Sequence, residues 1–234
     1  MGGKPSMTHA HFSDGLFEFL YELRLNNNRD WFQAQKARYQ SVVLRPMADF
    51  VADFGAYLPD ISPHFVADPR THGGSIFRIY RDVRFSKDKS PYKTHAALHF
   101  RHETGREVHG PGFYLHLAPG EVYAGVGIWR PASETLTKIR DAIVAHPTKW
   151  TQAISDKDFA EAFALEGESL KRPPRGYDAD HTQIDDLKRK DFVASTDFTQ
   201  EDATSPDFIE RYANACRTAT PFMEFLTTAV GLAW

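Results

Sequence analysis

The sequence predicts an α+β protein in which an antiparallel sheet of about four to six strands occupies the middle of the chain, packed against N-terminal and C-terminal helices. Three observations carry this expectation. Apolar residues recur at helical spacing through residues 12–58, the period falls to two over residues 76–129, and helical spacing returns from residue 133 onward. A sheet with one apolar face needs that face covered, and the flanking helical sections are placed to cover it.

Ser13-Asp14 gives the start signal of a first helix over residues 12–25, with Leu16, Phe17, Phe19, Leu20 and Leu23 as its buried stripe. Asn26-Asn27-Asn28 breaks it. Asn28 then caps a second helix, with Asp30 near the positive end of the dipole and Trp31, Phe32, Tyr39, Val42 and Val43 inside. A proline costs an interior helix about 3 kcal/mol but suits a first turn. Pro46 therefore divides this pattern from a third helix through Met47, Phe50, Val51, Phe54 and Leu58, which Pro59 and Pro63 close.

The strands come next. Residues 76–85 alternate Arg78, Tyr80, Asp82 and Arg84 with Phe77, Ile79, Arg81, Val83 and Phe85. In residues 93–102, Thr94, Ala96, Leu98 and Phe100 alternate with Lys93, His95, His99 and Arg101. Residues 113–117 and 122–129 flank Ala118-Pro119-Gly120-Glu121 and read as a hairpin. One face of it is apolar, and the other carries Tyr114, His116, Tyr123, Gly125, Gly127 and Trp129. Helices follow over residues 133–144 and 156–165, separated at Pro147. The paired prolines make Lys171 to Tyr177 an ordered loop, residues 192–196 read as a short strand, and Ser205-Pro206-Asp207 opens a last helix that Pro221 kinks or divides. With no repeat, low-complexity tract or Gly/Ser linker, residues 12–234 read as one domain behind a flexible N-terminus of residues 1–11.

Composition excludes more than it names. A hydrophobic share of 41% with 25% charged residues rules out disordered and fibrous classes. No apolar h-region and no run of 18 apolar residues predict neither a signal peptide nor a membrane span, and a cytoplasmic location is expected. The single Cys216 excludes an intramolecular disulfide and reads as a buried, inert thiol. A net charge of −3 gives no global attraction to nucleic acid. The charge is nevertheless uneven: residues 70–109 hold six Arg and three Lys against two Asp and two Glu.

Residues 78–95 concentrate that excess. Arg78, Arg81, Arg84, Lys87, Lys89 and Lys93, with Tyr92, form the candidate ligand-binding set, and Asp82 and His95 are the acid/base candidates. Arg81 falls on an apolar face, so it should meet a carboxylate or a bound anion. Residues 86–91 form a polar turn whose lysines and backbone donors suit a phosphate or carboxylate, though the turn lacks P-loop spacing. His95 and His99 lie about 13 Å apart at the usual strand rise and cannot share a metal, and no carboxylate completes a ligand set with His116. No metal and no cofactor is implied.

Three stretches, Asn27-Asn28-Arg29-Asp30-Trp31-Phe32, residues 77–95 and Gly112-Phe113-Tyr114-Leu115-His116, together resemble a mainly bacterial family of conserved hypothetical proteins, domain of unknown function 2461. Arg172-Pro173-Pro174-Arg175-Gly176-Tyr177-Asp178 and Lys190-Asp191-Phe192 resemble its C-terminal signature, and His181-Thr182 departs from it where a proline follows the histidine. The resemblance implies no activity, but it implies that residues 78–95 and the loop with Arg175 and Tyr177 belong to one architecture, here expected to converge on one site. Three readings stand: a site for a small phosphate- or carboxylate-bearing ligand, a single-stranded nucleic-acid module stacking bases on its aromatic residues, or an ion-pair network in a protein-interaction domain. Neither an enzyme nor a binding protein is singled out.

Overall fold

The computed structural model describes residues 9–105 and 110–234. Residues 1–8 of the expected N-terminal tail, and Arg106, Glu107 and His109 of the basic window, lie outside the described residues. His11 does have a place: its Nε2 lies 2.9 Å from Asp53 and its ring meets Phe50 edge-on.

The chain opens with α1 (Asp14–Leu25), α2 (Arg29–Ala34) and α3 (Lys36–Tyr39). Asn28 caps α2, its side chain accepting from Trp31 N at 2.9 Å. The expected break at Pro46 is instead a π turn (Gln40–Leu44) that runs straight into α4 (Arg45–Phe54). A π turn resets the hydrogen-bond register, and Pro46 then falls in the first turn of α4, where its missing N–H has no partner to lose.

Strands β1 (Phe65–Val66), β2 (Ala96–His102), β3 (Gly112–Ala118) and β4 (Glu121–Ile128) follow. Beyond them come α5 (Ser133–Ala145), α6 (Pro147–Ser155), α7 (Lys157–Ala162), β5 (Ala164–Glu166), α8 (Ile184–Leu187), β6 (Phe192–Phe198), α9 (Gln200–Ala203), α10 (Phe208–Thr218) and α11 (Thr220–Ala229). The six strands form one antiparallel sheet in the order β1-β2-β3-β4-β6-β5. Pro147 begins α6 rather than merely separating two helices, and the expected helix over residues 156–165 stops at Ala162 because Ala164 and Leu165 pair with β6. Pro221 stands in the first turn of α11 and does divide the last helical section.

One sheet face is core. Leu98, Phe100, Phe113, Leu115, Val126, Ile128 and Phe192 are fully or almost fully buried against α1, α4, α10 and α11. The ring of Phe54 lies 4.5 Å from that of Phe100 and 5.0 Å from that of Tyr212, and Trp150 closes the β6 end by meeting Phe192 edge-on. Cys216 is wholly buried on α10 and burial pushes its thiol well up, as an inert cysteine requires. Among the described residues no helix is long and apolar enough to cross a membrane.

Candidate functional site

The expected strand over residues 76–85 is not a strand. It is one arm of a distorted hairpin lying along the free edge of β2, with single bridges Ile76 to Leu98 and Tyr80 to Tyr92. His99 N donates to Ser75 O, Phe77 N to Ala97 O, Lys93 N to Ile79 O and Arg81 N to Pro91 O, at 2.7–3.0 Å. The returning arm, residues 91–95, likewise stays outside β2, which begins at Ala96. Ile76, Ile79 and Tyr92 are buried, but Ile76 and Ile79 are three residues apart, so alternation holds only from Ile79 onward, and polar pairs at the tip offer no second strand a continuous ladder. Asn27 fixes the base: its side chain donates to Tyr92 O at 2.9 Å and accepts from Tyr92 N at 3.0 Å. The Tyr92 ring stacks on Phe32 at 4.1 Å. Thus two of the sequence stretches noted above meet in space.

The cations divide sharply. At the tip, Arg84 forks onto Asp82 at 2.9 and 2.6 Å. Arg81 pairs with Asp88 and donates to Ser90 O at 3.2 Å. Lys89 donates to Val83 O at 3.0 Å, while Lys87 is exposed. Hydrogen bonds from Arg84 hold Asp82 down at about 2, which leaves it a poor proton acceptor at neutral pH. Phe85, expected on an apolar face, is 96% exposed at this tip. At the base, exposed Arg78 and half-buried Lys93 form no ion pair among the described residues, though the Arg78 charge adds to lowering Asp82. Lys93 Nζ lies 5.0 Å over the Phe77 ring, and burial first, then the Arg78 charge, lowers its pKa.

Lys93 borders the second face of the sheet. His95 stands 4.5 Å from His116 by ring centroids, and His116 stacks on Tyr123 at 4.7 Å. The Tyr114 hydroxyl lies 3.1 Å from His116 Nδ1, and Glu121 lies 3.8 Å from Nε2. Burial lowers His95 and His116 to about 4, with the neighbouring His116 and Lys93 adding to the effect on His95, so both imidazoles are neutral at pH 7. Tyr114 and Tyr123 are raised, chiefly by burial, and keep their protons. Two glycines shape the floor. A Cβ on Gly112 would meet His99 Nε2 at 2.0 Å, and one on Gly125 would meet the Tyr114 ring at 3.4 Å and the Tyr123 ring at 3.8 Å. Among the described residues no group of three or more His, Cys, Asp or Glu is placed to hold a metal.

Arg175 and Tyr177 are not brought to this face by any contact. Tyr177 donates to Asp141 of α5 at 2.8 Å, and burial with that carboxylate raises it to about 12, while Arg175 is exposed. Two grooves also lie away from the hairpin. One of about 980 Å³ runs between α5, α6 and α11, and one of about 490 Å³ lies beside Trp129, which follows β4 and is 51% exposed. The groove beside Trp129 is lined by buried Asp191, whose carboxylate is met by the backbone N–H groups of Arg130 and Glu168. Alternation along the sequence places Tyr114 on this face, whereas Glu121, Ser195 and Glu166 were missed, and only the long-range pairing of β4 with β6 and of β6 with β5 brings the last two in.

Residues 15–225 match the family model of a conserved hypothetical protein, DUF2461. No curated protein and no solved structure matches the chain.

Proposed function

We propose that this chain, which belongs to the conserved hypothetical protein family DUF2461, binds a small phosphate- or carboxylate-bearing ligand at Lys93 and Arg78, above the sheet face of His95, His116, Tyr114 and Tyr123. One observation carries the reading: the Lys93 ammonium is half-buried beside a second cation and pairs with no carboxylate among the described residues. Holding an unpaired cation there costs free energy that an anion would return. His95, neutral and next to Lys93, is the group placed to exchange a proton with a bound ligand, and it displaces Asp82 in that role. Tyr92 takes a different part from the one its sequence position suggests. At 2% exposure it anchors the hairpin and offers no face to a ligand or a base, which weakens the nucleic-acid alternative.

The test is a thermal-shift and calorimetric titration with phosphate, alkyl phosphates, sulfonates and carboxylates, on the wild type and on Lys93→Met. An anion at a hundredfold its Kd stabilises by about 2.7 kcal/mol, which for a chain of this size raises Tm by roughly 5–10 °C. That shift is expected in the wild type and absent in a folded Lys93→Met protein. Equal shifts in both proteins, or none with any anion, overturn the proposal.

A further inference from the structure

Strand β4 ends at Ile128, and the chain then turns towards α5 through Trp129, Arg130 and Pro131. Arg130 has a φ of +48°, the one non-glycine residue in the left-handed region among the described residues. Its side chain resists a positive φ, and the proline that follows favours extended backbone at the residue before it. Asp191 imposes the conformation nonetheless. Its carboxylate, 6% exposed, accepts from Arg130 N at 2.7 Å through Oδ1 and from Glu168 N at 3.2 Å through Oδ2. Gly167, at a φ of +101°, lets the chain leaving β5 close over that carboxylate, since a Cβ there would lie 2.6 Å from Asp191 Cβ. The middle residue of Lys190-Asp191-Phe192 is thus a buried strut beneath Arg130.

The strained turn presents a side chain rather than hiding one. The Arg130 guanidinium stands 4.7 Å over the Trp129 ring, and it forms no ion pair among the described residues. The donors of a guanidinium lie in its plane, so stacking leaves them directed outward. The groove of about 490 Å³ lies beside it, of the size of small-molecule sites, with Trp129, Pro131 and Leu136 as its apolar wall. Lys190 and Glu168 also line the groove but pair with each other at 2.9 Å. Arg130 is therefore the one cation of the lining without an ion pair among the described residues, and the carboxylates of Asp191 and Glu168 disfavour a second negative charge on a ligand.

We propose that this groove is a second ligand site, lined by none of the hairpin residues, and that it takes a small monocarboxylate with an apolar or aromatic body. Arg130 receives the carboxylate in bidentate fashion, and Trp129, Pro131 and Leu136 receive the body. A carboxylate matches the fork of a guanidinium and brings a single charge. Backbone strain of this kind persists where the surroundings over-determine it to position a functional group, and here the group positioned is the Arg130 guanidinium.

The experiment titrates phenylacetate, phenylacetamide and phenyl phosphate at pH 7.5 into the wild type, Lys93→Met, Arg130→Gln, Arg130→Gly and Trp129→Phe, after the Tm of each is measured. Binding is read as the change in tryptophan emission that Trp129→Phe removes. Phenylacetate should give the same affinity in the wild type and in Lys93→Met. Phenylacetamide, which lacks the charge, and phenyl phosphate, which carries close to two, should bind at least about tenfold more weakly, the margin of a charge-assisted hydrogen bond. Arg130→Gln should also lose at least about tenfold. Arg130→Gly should lose as much while its Tm holds or rises, because glycine adopts a φ of +48° without strain. Phenylacetate affinity that survives both Arg130 substitutions, or that depends on Lys93, overturns the proposal, as does the absence of saturable binding. A marked fall in the Tm of Arg130→Gly would make Arg130 a structural residue of the turn and overturn it too. Phenyl phosphate bound as tightly as phenylacetate overturns the monocarboxylate. None of these outcomes decides the Lys93 site, whose own test is read on a different residue.

Discussion

At the tip of the hairpin Arg84 and Arg81 each hold a carboxylate, whereas at its base neither Lys93 nor Arg78 forms an ion pair among the described residues. The tip has more cations and less available charge. Its pairs are local, two to seven residues apart, so the loop neutralises itself wherever it sits. The base is different because Tyr92 and Ile79 are pulled into the core, and Lys93, half-buried beside them, forms no ion pair among the described residues. Counting charges along a chain therefore does not locate an anion site; the cation left over after local pairing does.

The largest effect should come from releasing the base. Tyr92 is 2% exposed and stacked on Phe32, so Tyr92→Ala should cost about 3–5 kcal/mol of stability, read as a fall in the denaturant midpoint. If the midpoint barely moves, the hairpin is not anchored there and the contrast between tip and base loses its cause.

A somewhat smaller effect tests the face beneath. Burial lowers His99 to about 4, against an ordinary histidine value near 6.5 in the unfolded chain. Between those values the unfolded state binds more protons, so stability is complete above pH 6.5 and is lost as the pH falls towards 4. His99 alone accounts for about 3 kcal/mol of that loss, with His95 and His116 adding in the same direction. Denaturant midpoints from pH 7.5 to 4.5 should fall, and His99→Leu should flatten part of the slope. A wild-type midpoint independent of pH in this window would mean that the imidazoles are not buried as neutral groups.

Lys93→Met sharpens the comparison itself. Anion affinity should drop at least tenfold, while Tm holds or rises, because an unpaired half-buried cation has been replaced by an apolar stem of similar length. A large loss of stability would instead make Lys93 part of a structural network. For a sulfonate of constant charge, affinity should also decline on the alkaline side at a lower pH than an ordinary lysine would give, since the Lys93 pKa is lowered.

How much of this was legible beforehand follows from the range of the interactions. Helical stripes, the Asn28 cap and the β3–β4 turn are local, and α1, α2 and the central hairpin stand where periodicity puts them. The two sheet faces were legible for the same reason. The π turn was not, because Pro46 reads equally as a stop or as a first-turn residue. The arm at residues 76–81 alternates like a strand, yet a strand also needs a partner ladder, and that is a property of two segments. The site divides in the same way. The Lys93–His95 region was visible as composition, but which cations are neutralised depends on where Asp82 and Asp88 turn. Glu166 and Ser195 enter only through pairing of β5 with β6, about 70 residues beyond Lys93 and more.

The smallest effect belongs to the tip, and its smallness is informative. Arg84→Ala removes an exposed guanidinium that is bound to an exposed carboxylate. Pairs of that kind contribute little to stability, so Tm should be unchanged within error. Anion affinity should also be unchanged, because Arg84 is already satisfied by Asp82 and is no neighbour of Lys93. Asp82→Asn frees Arg84 without removing it. If tip charge were all that an anion needed, this variant would bind better than the wild type. The expectation here is equal affinity in a calorimetric titration, since the liberated guanidinium remains solvated at the tip while the ligand sits at the base. A gain in affinity for Asp82→Asn that persists when Lys93→Met is added would move the site to the tip and reduce Lys93 to a bystander.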